Sequence, residues 1–505
     1  MDATQDGGRP VIRPLGPLES FISTHHLLQT AYRTILTGRY GIPSSSSLDA
    51  VKAELEKAIA LTVLEHSMMQ PGLADEDSKQ PQWVRLPSLQ LDSMVTWAVS
   101  DAASHEECLT THLVRLHSQP FTQLETLPGW RITVLQCPDD APAPFVDVIF
   151  NYNHANADGM SGKIFHSSLN RNLLLVSRAE PSVMSRLAET LSNHTLQLPK
   201  DSKLSPTQEE LMKFPVSIPF VLGLGWKGLR PRFFVPGDYA KWAPMRETDD
   251  AHPNETTMQL VVTEAPTLQR LLASCRSHKT TITGLLHALI FISLCHRLST
   301  QPGFNGGTTV NMRRFINAED TAKYKPDSMM GNYVTLMGHA FDHSLTARAR
   351  ALQHDAKKEQ LQDLVWEVAA RVRGELEQKM QTGTRDDMMG LVGMMAGSGD
   401  FRSILKGELQ KDREFSWEVS NMGTLDADAA PAPTGSDGAG GWQLERLVSS
   451  QSAVANGAAI LVFPISVKGG VLCTTITAQK GVVDEQLTEG LAKDLEDWLA
   501  DLVKE

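Results

Sequence analysis

One histidine of this chain stands where acid–base chemistry is easily arranged. His154 follows the apolar run Phe145 to Asn151 (FVDVIFN), and Asp158 and Gly159 come shortly after it, in Asn153-His154-Ala155-Asn156-Ala157-Asp158-Gly159. A neutral imidazole accepts a proton from a hydroxyl or an amine at neutral pH. The end of a strand in a cleft would hold such a ring firmly. Asp158 could fix the turn or pair with an arginine, and Gly159 permits a positive φ or a close backbone approach. The motif alone leaves two other readings open. Asp158 could simply be the N-cap of a following helix. His154 and Asp158 could also be metal ligands, although no third ligand lies nearby in sequence.

The elements around this segment must position it. Trp130 to Gln136 (WRITVLQ) and Phe145 to Asn151 read as strands joined by the proline-rich loop CPDDAPAP, and a helix starts at Gly159 or Ser161 and reaches about Val176. Upstream, helices are expected after Pro17 and over Leu48 to Gln70, where Val51, Leu55, Ile59 and Val63 recur at helical spacing. Residues 201–255 mix prolines, glycines and aromatics without a steady period and read as a crossover rich in large apolar groups. Beyond it, Ala265 to Ser277 and Thr281 to Leu298 read as helices and Thr308 to Met312 and Asn332 to Met337 as strands. Ser344 to Met380 reads as a long helical region, broken once. Strand-like runs cover Phe415 to Ser420, Trp442 to Ser449, Ala458 to Ile465 and Gly470 to Thr477, and a helix over Asp484 to Val503 ends the chain. The low-complexity run DADAAPAPTGSDGAGG reads as a surface loop. The expected organisation is an N-terminal lobe over 1–205, a crossover over 206–255 and a C-terminal lobe over 256–505.

The bulk numbers narrow the function classes. A formal net charge of −12 argues against a general nucleic-acid binder, which needs a positive surface to displace counterions. The five cysteines (Cys108, Cys137, Cys275, Cys295 and Cys473) are odd in number and widely spaced, which suggests neither a disulfide framework nor a zinc site. No signal-peptide pattern opens the sequence, and no run of about 18 uninterrupted apolar residues appears. A cytoplasmic protein without a transmembrane helix or a metal is expected, most simply a monomer.

Strand, strand, His-x-x-x-Asp-Gly, helix: in that order the elements resemble the chloramphenicol acetyltransferase-like superfamily, and more specifically the fungal alcohol acetyltransferase family. Further stretches carry the resemblance over nearly the whole chain: RPLGPLESF…HHLLQTAY, Thr283-Gly284-Leu285-Leu286-His287-Ala288, Val310-Asn311-Met312-Arg313-Arg314, Met330-Gly331-Asn332-Tyr333 and Val419-Ser420-Asn421-Met422-Gly423. Condensation domains of the superfamily carry a second histidine where this chain has Asn153, and the plant branch carries Asp-Phe-Gly-Trp-Gly, which is absent here. Both departures favour the alcohol acetyltransferase branch.

The resemblance implies an α/β fold of two lobes, each a mixed sheet with flanking helices, and an active-site tunnel between them. It implies transfer of an acyl group from acetyl-coenzyme A or another acyl-coenzyme A to an alcohol, plausibly a secondary-metabolite hydroxyl, with His154 as general base. Asp158 would point away from the substrate and brace the loop against an arginine, for which Arg313 is the candidate; Asn311 could orient the same loop. Ser420 and Asn421 are candidates for stabilising the oxyanion. Two rivals stand beside this expectation: a condensation-type enzyme using a carrier-protein-bound donor, and a non-catalytic binding protein of the same fold. Among the other histidines, His25 and His26 could face the acceptor pocket or merely pack, and His166 and His287 read as core or surface residues. Met388, Met389, Met394 and Met395 could form an adaptable apolar wall or a plain helix end.

Overall fold

The computed structural model describes residues 9–31, 33–43, 46–100, 104–137, 144–229, 241–244, 254–353, 357–398, 400–409, 411–427 and 441–503. Two large sheets organise them. Their strands, numbered along the chain, are β1 (Thr34–Gly41), β2 (Val95–Val99), β3 (Trp130–Gln136), β4 (Phe145–Tyr152), β5 (Thr256–Thr263), β6 (Phe304–Asn311), β7 (Val334–Phe341), β8 (Trp417–Val419), β9 (Gly423–Leu425), β10 (Gln443–Gln451), β11 (Ile460–Val467) and β12 (Leu472–Gln479). The first sheet runs β10-β1-β4-β3-β2; the second runs β5-β12-β11-β8-β6-β7, with β9 also paired to β11. The helices used below are α1 (Pro17–Leu27), α2 (Leu48–Glu65), α3 (His105–His117), α4 (Gly159–Ser177), α5 (Ala265–Ser277), α6 (Ile282–Arg297), α7 (Lys358–Thr382), α8 (Met388–Ser398) and α9 (Glu485–Asp501).

The near-continuous apolar character of β3 and β4 has a simple cause: both faces of their sheet are covered. On one face Ile132, Val134, Val148 and Phe150 share a core with Leu55 and Ile59 of α2 and Phe165 and Leu169 of α4. On the other, Leu135 and Ile149 meet Cys108, Leu109 and Leu113 of α3. The second core surrounds α6, whose residues are buried on every side from Ile282 to Cys295, as expected of a helix apolar all round. Among the described residues no single helix is long and apolar enough to cross a membrane; α5 and α6 pass such a test only together, bent by 94°.

The strand Gln443–Gln451 does not follow chain order. It lies after residue 256, yet β10 pairs antiparallel with β1 along the edge of the first sheet. Its residues Leu444 and Leu447 complete the first core, so strand pairing overrides sequence position. Most other elements lie where the pattern puts them. Strand β6 begins at Phe304 and not at Thr308, because Gly306 and Gly307 hide its start. A Cβ at Gly306 would sit 3.0 Å from both the His287 and Trp417 rings, so the glycine serves close packing. The strand ends at Asn311, and Met312–Phe315 forms a 3-10 turn. The helical region after Ser344 is two helices, His343–Ala351 and α7. Most of CPDDAPAP and of the low-complexity run lies outside the described residues.

A buried polar chain braces the second sheet. The Trp417 indole N–H donates to His287 Nδ1 at 2.9 Å, His287 Nε2 meets Thr308 Oγ1 at 2.8 Å, Thr308 Oγ1 meets His339 Nε2 at 2.8 Å, and His339 Nδ1 meets Glu375 at 2.5 Å. With both rings neutral, the proton order that satisfies all four contacts has His287 donating from Nε2 and Thr308 donating to His339. Burial, with the neighbouring His339 and Arg371, holds the His287 pKa well below its ordinary value, consistent with the neutral ring this order needs. Thr308→Val leaves two buried imidazole nitrogens unpaired and is expected to cost about 2–4 kcal/mol of stability, read as a lowered denaturation midpoint, with activity per folded molecule largely retained.

Candidate active site

The site grows from the end of β4. Asn153 leaves the ladder and its Oδ1 accepts the Ala155 N–H at 2.9 Å, turning the chain so that His154 emerges half-buried. His154 Nδ1 lies 3.2 Å from Asn332 Oδ1. The Asn332 amide is fixed by its other end, because Nδ2 donates to the carbonyls of His154 at 2.7 Å and Ala155 at 2.9 Å. Its Oδ1 can therefore only accept, which assigns the proton to His154 Nδ1 and leaves Nε2 with a free lone pair. Nothing in the periodicity of the sequence marks Asn332. It lies within the quoted Met330-Gly331-Asn332-Tyr333 stretch, ahead of β7, and that stretch was the available signal.

Asp158 is wholly buried and does two things at once. As N-cap of α4 its Oδ1 accepts the Ser161 N–H at 2.9 Å. The same carboxylate takes a two-pronged bond from Arg313, at 2.6 Å to Oδ2 and 3.1 Å to Oδ1. The Tyr333 N–H adds a bond to Oδ2 at 3.1 Å, and the Arg313 guanidinium lies over the Tyr333 ring. Burial would push the carboxyl pKa up. The Arg313 charge and the bonds from Arg313, Ser161 and Tyr333 outweigh it and hold the group below the usual carboxylate range. Asn311 caps the turn that carries the arginine, its Oδ1 accepting the Arg313 N–H at 3.0 Å. Gly331 closes the knot: its carbonyl accepts the Asp158 N–H at 3.1 Å and its N–H donates to Ser161 Oγ at 3.0 Å. The helix cap and the arginine brace are thus both realised, and they tie the His154 turn to the second half of the chain.

Gly159 sits close to Met422. Its φ is not in the left-handed region, and a Cβ there would meet the flexible end of the Met422 side chain, 2.5 Å from its sulfur, which would have to swing aside. Met422 and β9 are held to α4 by Lys163, whose ammonium donates to the carbonyls of Met422 at 3.2 Å and Thr424 at 2.7 Å. Ser420 and Asn421 stand just before that contact. Asn421 is already engaged, donating to Thr283 Oγ1 at 3.0 Å and accepting the Gly423 N–H at 2.7 Å. Neither residue is among those lining the cavity beside His154.

That cavity, of about 560 Å³ including its open mouth, is lined by α1 (Phe21, Ile22, His25, His26), by Arg33, Asn153 and His154, and by Gln451 and Ser452 at the end of β10. Both N-terminal histidines therefore face it. The Phe121 N–H donates to His26 Nε2, so His26 donates from Nδ1 to Glu76 at 3.0 Å. The remaining candidates lie elsewhere. His166 is buried against Leu36 and Tyr40, and burial lowers its pKa to about 4. The methionine cluster forms α8, which packs against α1 and exposes Met388 and Met394. Among the described residues no group of three or more His, Cys, Asp or Glu could hold a metal. Asn332→Ala is expected to lower kcat by roughly tenfold, the worth of one orienting hydrogen bond, with little change in the KM for either substrate in steady-state kinetics.

The chain folds as a two-lobed protein of the chloramphenicol acetyltransferase-like class, as the comparisons with known proteins show. In fold, the chain is similar to TRI3 trichothecene 15-O-acetyltransferase from Fusarium sporotrichioides (TM-score 0.69, 14% identity, 99% of this chain and 96% of that one). It is also similar to the condensation domain of the Monacolin K polyketide synthase MokA (TM-score 0.55, 12% identity, 98% of each chain). In sequence, it is 28% identical to the probable alcohol acetyltransferase FCK4 of Fusarium pseudograminearum, over 99% of this chain and 97% of that protein. It is 21% identical to the probable alcohol acetyltransferase crmB of Aspergillus fumigatus, over 93% and 95%. The alcohol acetyltransferase family model matches residues 96–498, and the chain belongs to that family.

Proposed function

We propose that this enzyme transfers an acyl group, most simply acetyl, from acyl-coenzyme A to the hydroxyl of a small alcohol. The observation that carries the reading is the Asn332–His154 contact, which puts the proton on Nδ1 and leaves Nε2 as a base in a ring lining the cavity. His154 Nε2 takes the hydroxyl proton as the oxygen attacks the thioester carbonyl. The tetrahedral intermediate then collapses, the C–S bond breaks, and His154 returns the proton to the leaving thiolate. Ser420 is our remaining candidate for oxyanion stabilisation and Asn421 a weaker one because its amide is engaged; one donor at that position would be worth about 3 kcal/mol. Asp158, Arg313 and Asn311 act as a brace, with no proton transfer of their own. We read residues 1–205, completed by β10, and the rest of 256–505 as the two lobes, 206–255 as the connection, and the space between the lobes as the substrate tunnel.

A fungal secondary-metabolite hydroxyl fits as acceptor, since TRI3 is described as a trichothecene 15-O-acetyltransferase. The test is turnover of a panel of alcohols with acetyl-coenzyme A beside an acetylated carrier protein. Ester formation from the coenzyme A thioester is expected. Turnover with the carrier-bound donor alone would replace the donor in this reading, and turnover with neither would leave a binding protein.

A further inference from the structure

The cavity beside His154 holds a cation that no carboxylate neutralises among the described residues. Arg33 lines it and is only 7% exposed. Its Nε donates to the Gln119 carbonyl at 2.6 Å, Nη1 to Asn151 Oδ1, and Nη2 to the Pro120 carbonyl at 3.3 Å. A guanidinium has five N–H groups, so two remain unused among the described residues. The Phe121 ring lies 4.0 Å from its Cζ. Carbonyls, an amide and a ring orient the group but bring no net negative charge. Among the described residues Arg33 forms no ion pair, and the charged neighbour acting on it is another cation, Arg131, whose guanidinium donates to the Pro128 and Trp130 carbonyls. Burial and Arg131 together lower the Arg33 pKa to about 10. A second donor stands beside it: Asn153, 1% exposed, lines the same cavity, and its Nδ2 is buried without a partner while its Oδ1 is held by Ala155. Asn151, which is bonded to Arg33, lies two residues before Asn153, the residue that follows the end of β4.

We propose that Arg33, helped by Asn153, binds an anionic group, a carboxylate or comparable acid, carried by the acceptor alcohol, so that the substrate is a hydroxy acid whose hydroxyl is presented to His154. A buried cation with spare donors in a substrate cavity is costly when empty and is matched by a carboxylate. The proposal rests on the reading of His154 as base of an O-acyltransferase. Its test is chosen to fail separately.

Calorimetry with 4-methylbenzoate, which has no hydroxyl to acylate, measures the anion site without turnover; Arg33→Gln should weaken its binding at least tenfold and Arg33→Lys less. Turnover is then compared for 4-(hydroxymethyl)benzoate and its methyl ester with acetyl-coenzyme A. The wild type should favour the acid, and Arg33→Gln should reduce the acid-to-ester ratio of kcat/KM at least tenfold. Carboxylate binding that depends on Arg33 without turnover of any alcohol would keep the anion site and remove the catalytic reading. Turnover of neutral alcohols with no carboxylate binding would do the reverse. An Arg33→Gln variant that loses acid and ester equally, or that raises only the KM for acetyl-coenzyme A, would overturn the proposal in favour of a structural role or a donor-phosphate site.

Discussion

Replacing His154 by alanine is expected to lower acetyl transfer by about 10²–10⁴-fold while moving the melting temperature by no more than about 2 °C. The two effects separate because the ring carries little of the structure. His154 is half-buried, and its side chain makes one rather long bond, to Asn332 Oδ1. The bonds that hold the turn use the backbone carbonyls of His154 and Ala155, and they survive removal of the imidazole. The alcohol, by contrast, then loses its proton acceptor as the C–O bond forms. Kinetics of the purified variant beside a thermal melt would check both halves.

Asp158→Asn should do the opposite, with a large stability loss and an activity loss that follows from geometry. It leaves the Arg313 guanidinium, 2% exposed, in the interior without its counter-charge. Breaking a buried pair by removing one partner typically costs about 3–5 kcal/mol. It also places an amide N–H₂ either where Arg313 Nη1 and the Tyr333 N–H require an acceptor or where Arg313 Nη2 and the Ser161 N–H do. Removing both members, Asp158→Asn with Arg313→Gln, should cost less than the sum of the two single changes. The pH dependence has a definite sign. The Asp158 pKa is lower folded than unfolded, so its contribution is fully present above the unfolded value of about 3.9 and disappears as pH falls through the folded value. The stability gap between wild type and Asp158→Asn should therefore be constant near neutrality and shrink below about pH 4, as chemical denaturation across pH would show.

The strands that carry the site were legible because their patterning is strong: β3 is found where the alternation in WRITVLQ places it, and β4 extends the expected run by one residue, to Tyr152. The Asp158–Arg313 pairing joins residues 155 positions apart, and no local pattern could reveal it; the family resemblance did. Asn332 was missed because it read as the first residue of a strand, whereas β7 begins at Val334, and a single asparagine has no periodicity to betray it. The start of β6 was hidden because glycines carry no hydrophobic signal, although their absent side chains are what let Trp417 and His287 approach. Gly159 offered two explanations to sequence reasoning, and its backbone removes one of them, because its φ is not positive. The placement of β10 in the first sheet depends on edge pairing across the whole chain, which chain order does not encode.

The decisive measurement is of the two products together. Wild type, given acetyl-coenzyme A and an acceptor alcohol, should release free coenzyme A thiol and form the acetyl ester in equal amounts, both dependent on the alcohol, and the His154→Ala variant, equally folded, should form neither above background. Alcohol-dependent ester formation by that variant at the wild-type rate would show that the proton leaves by another route and that His154 is not the base.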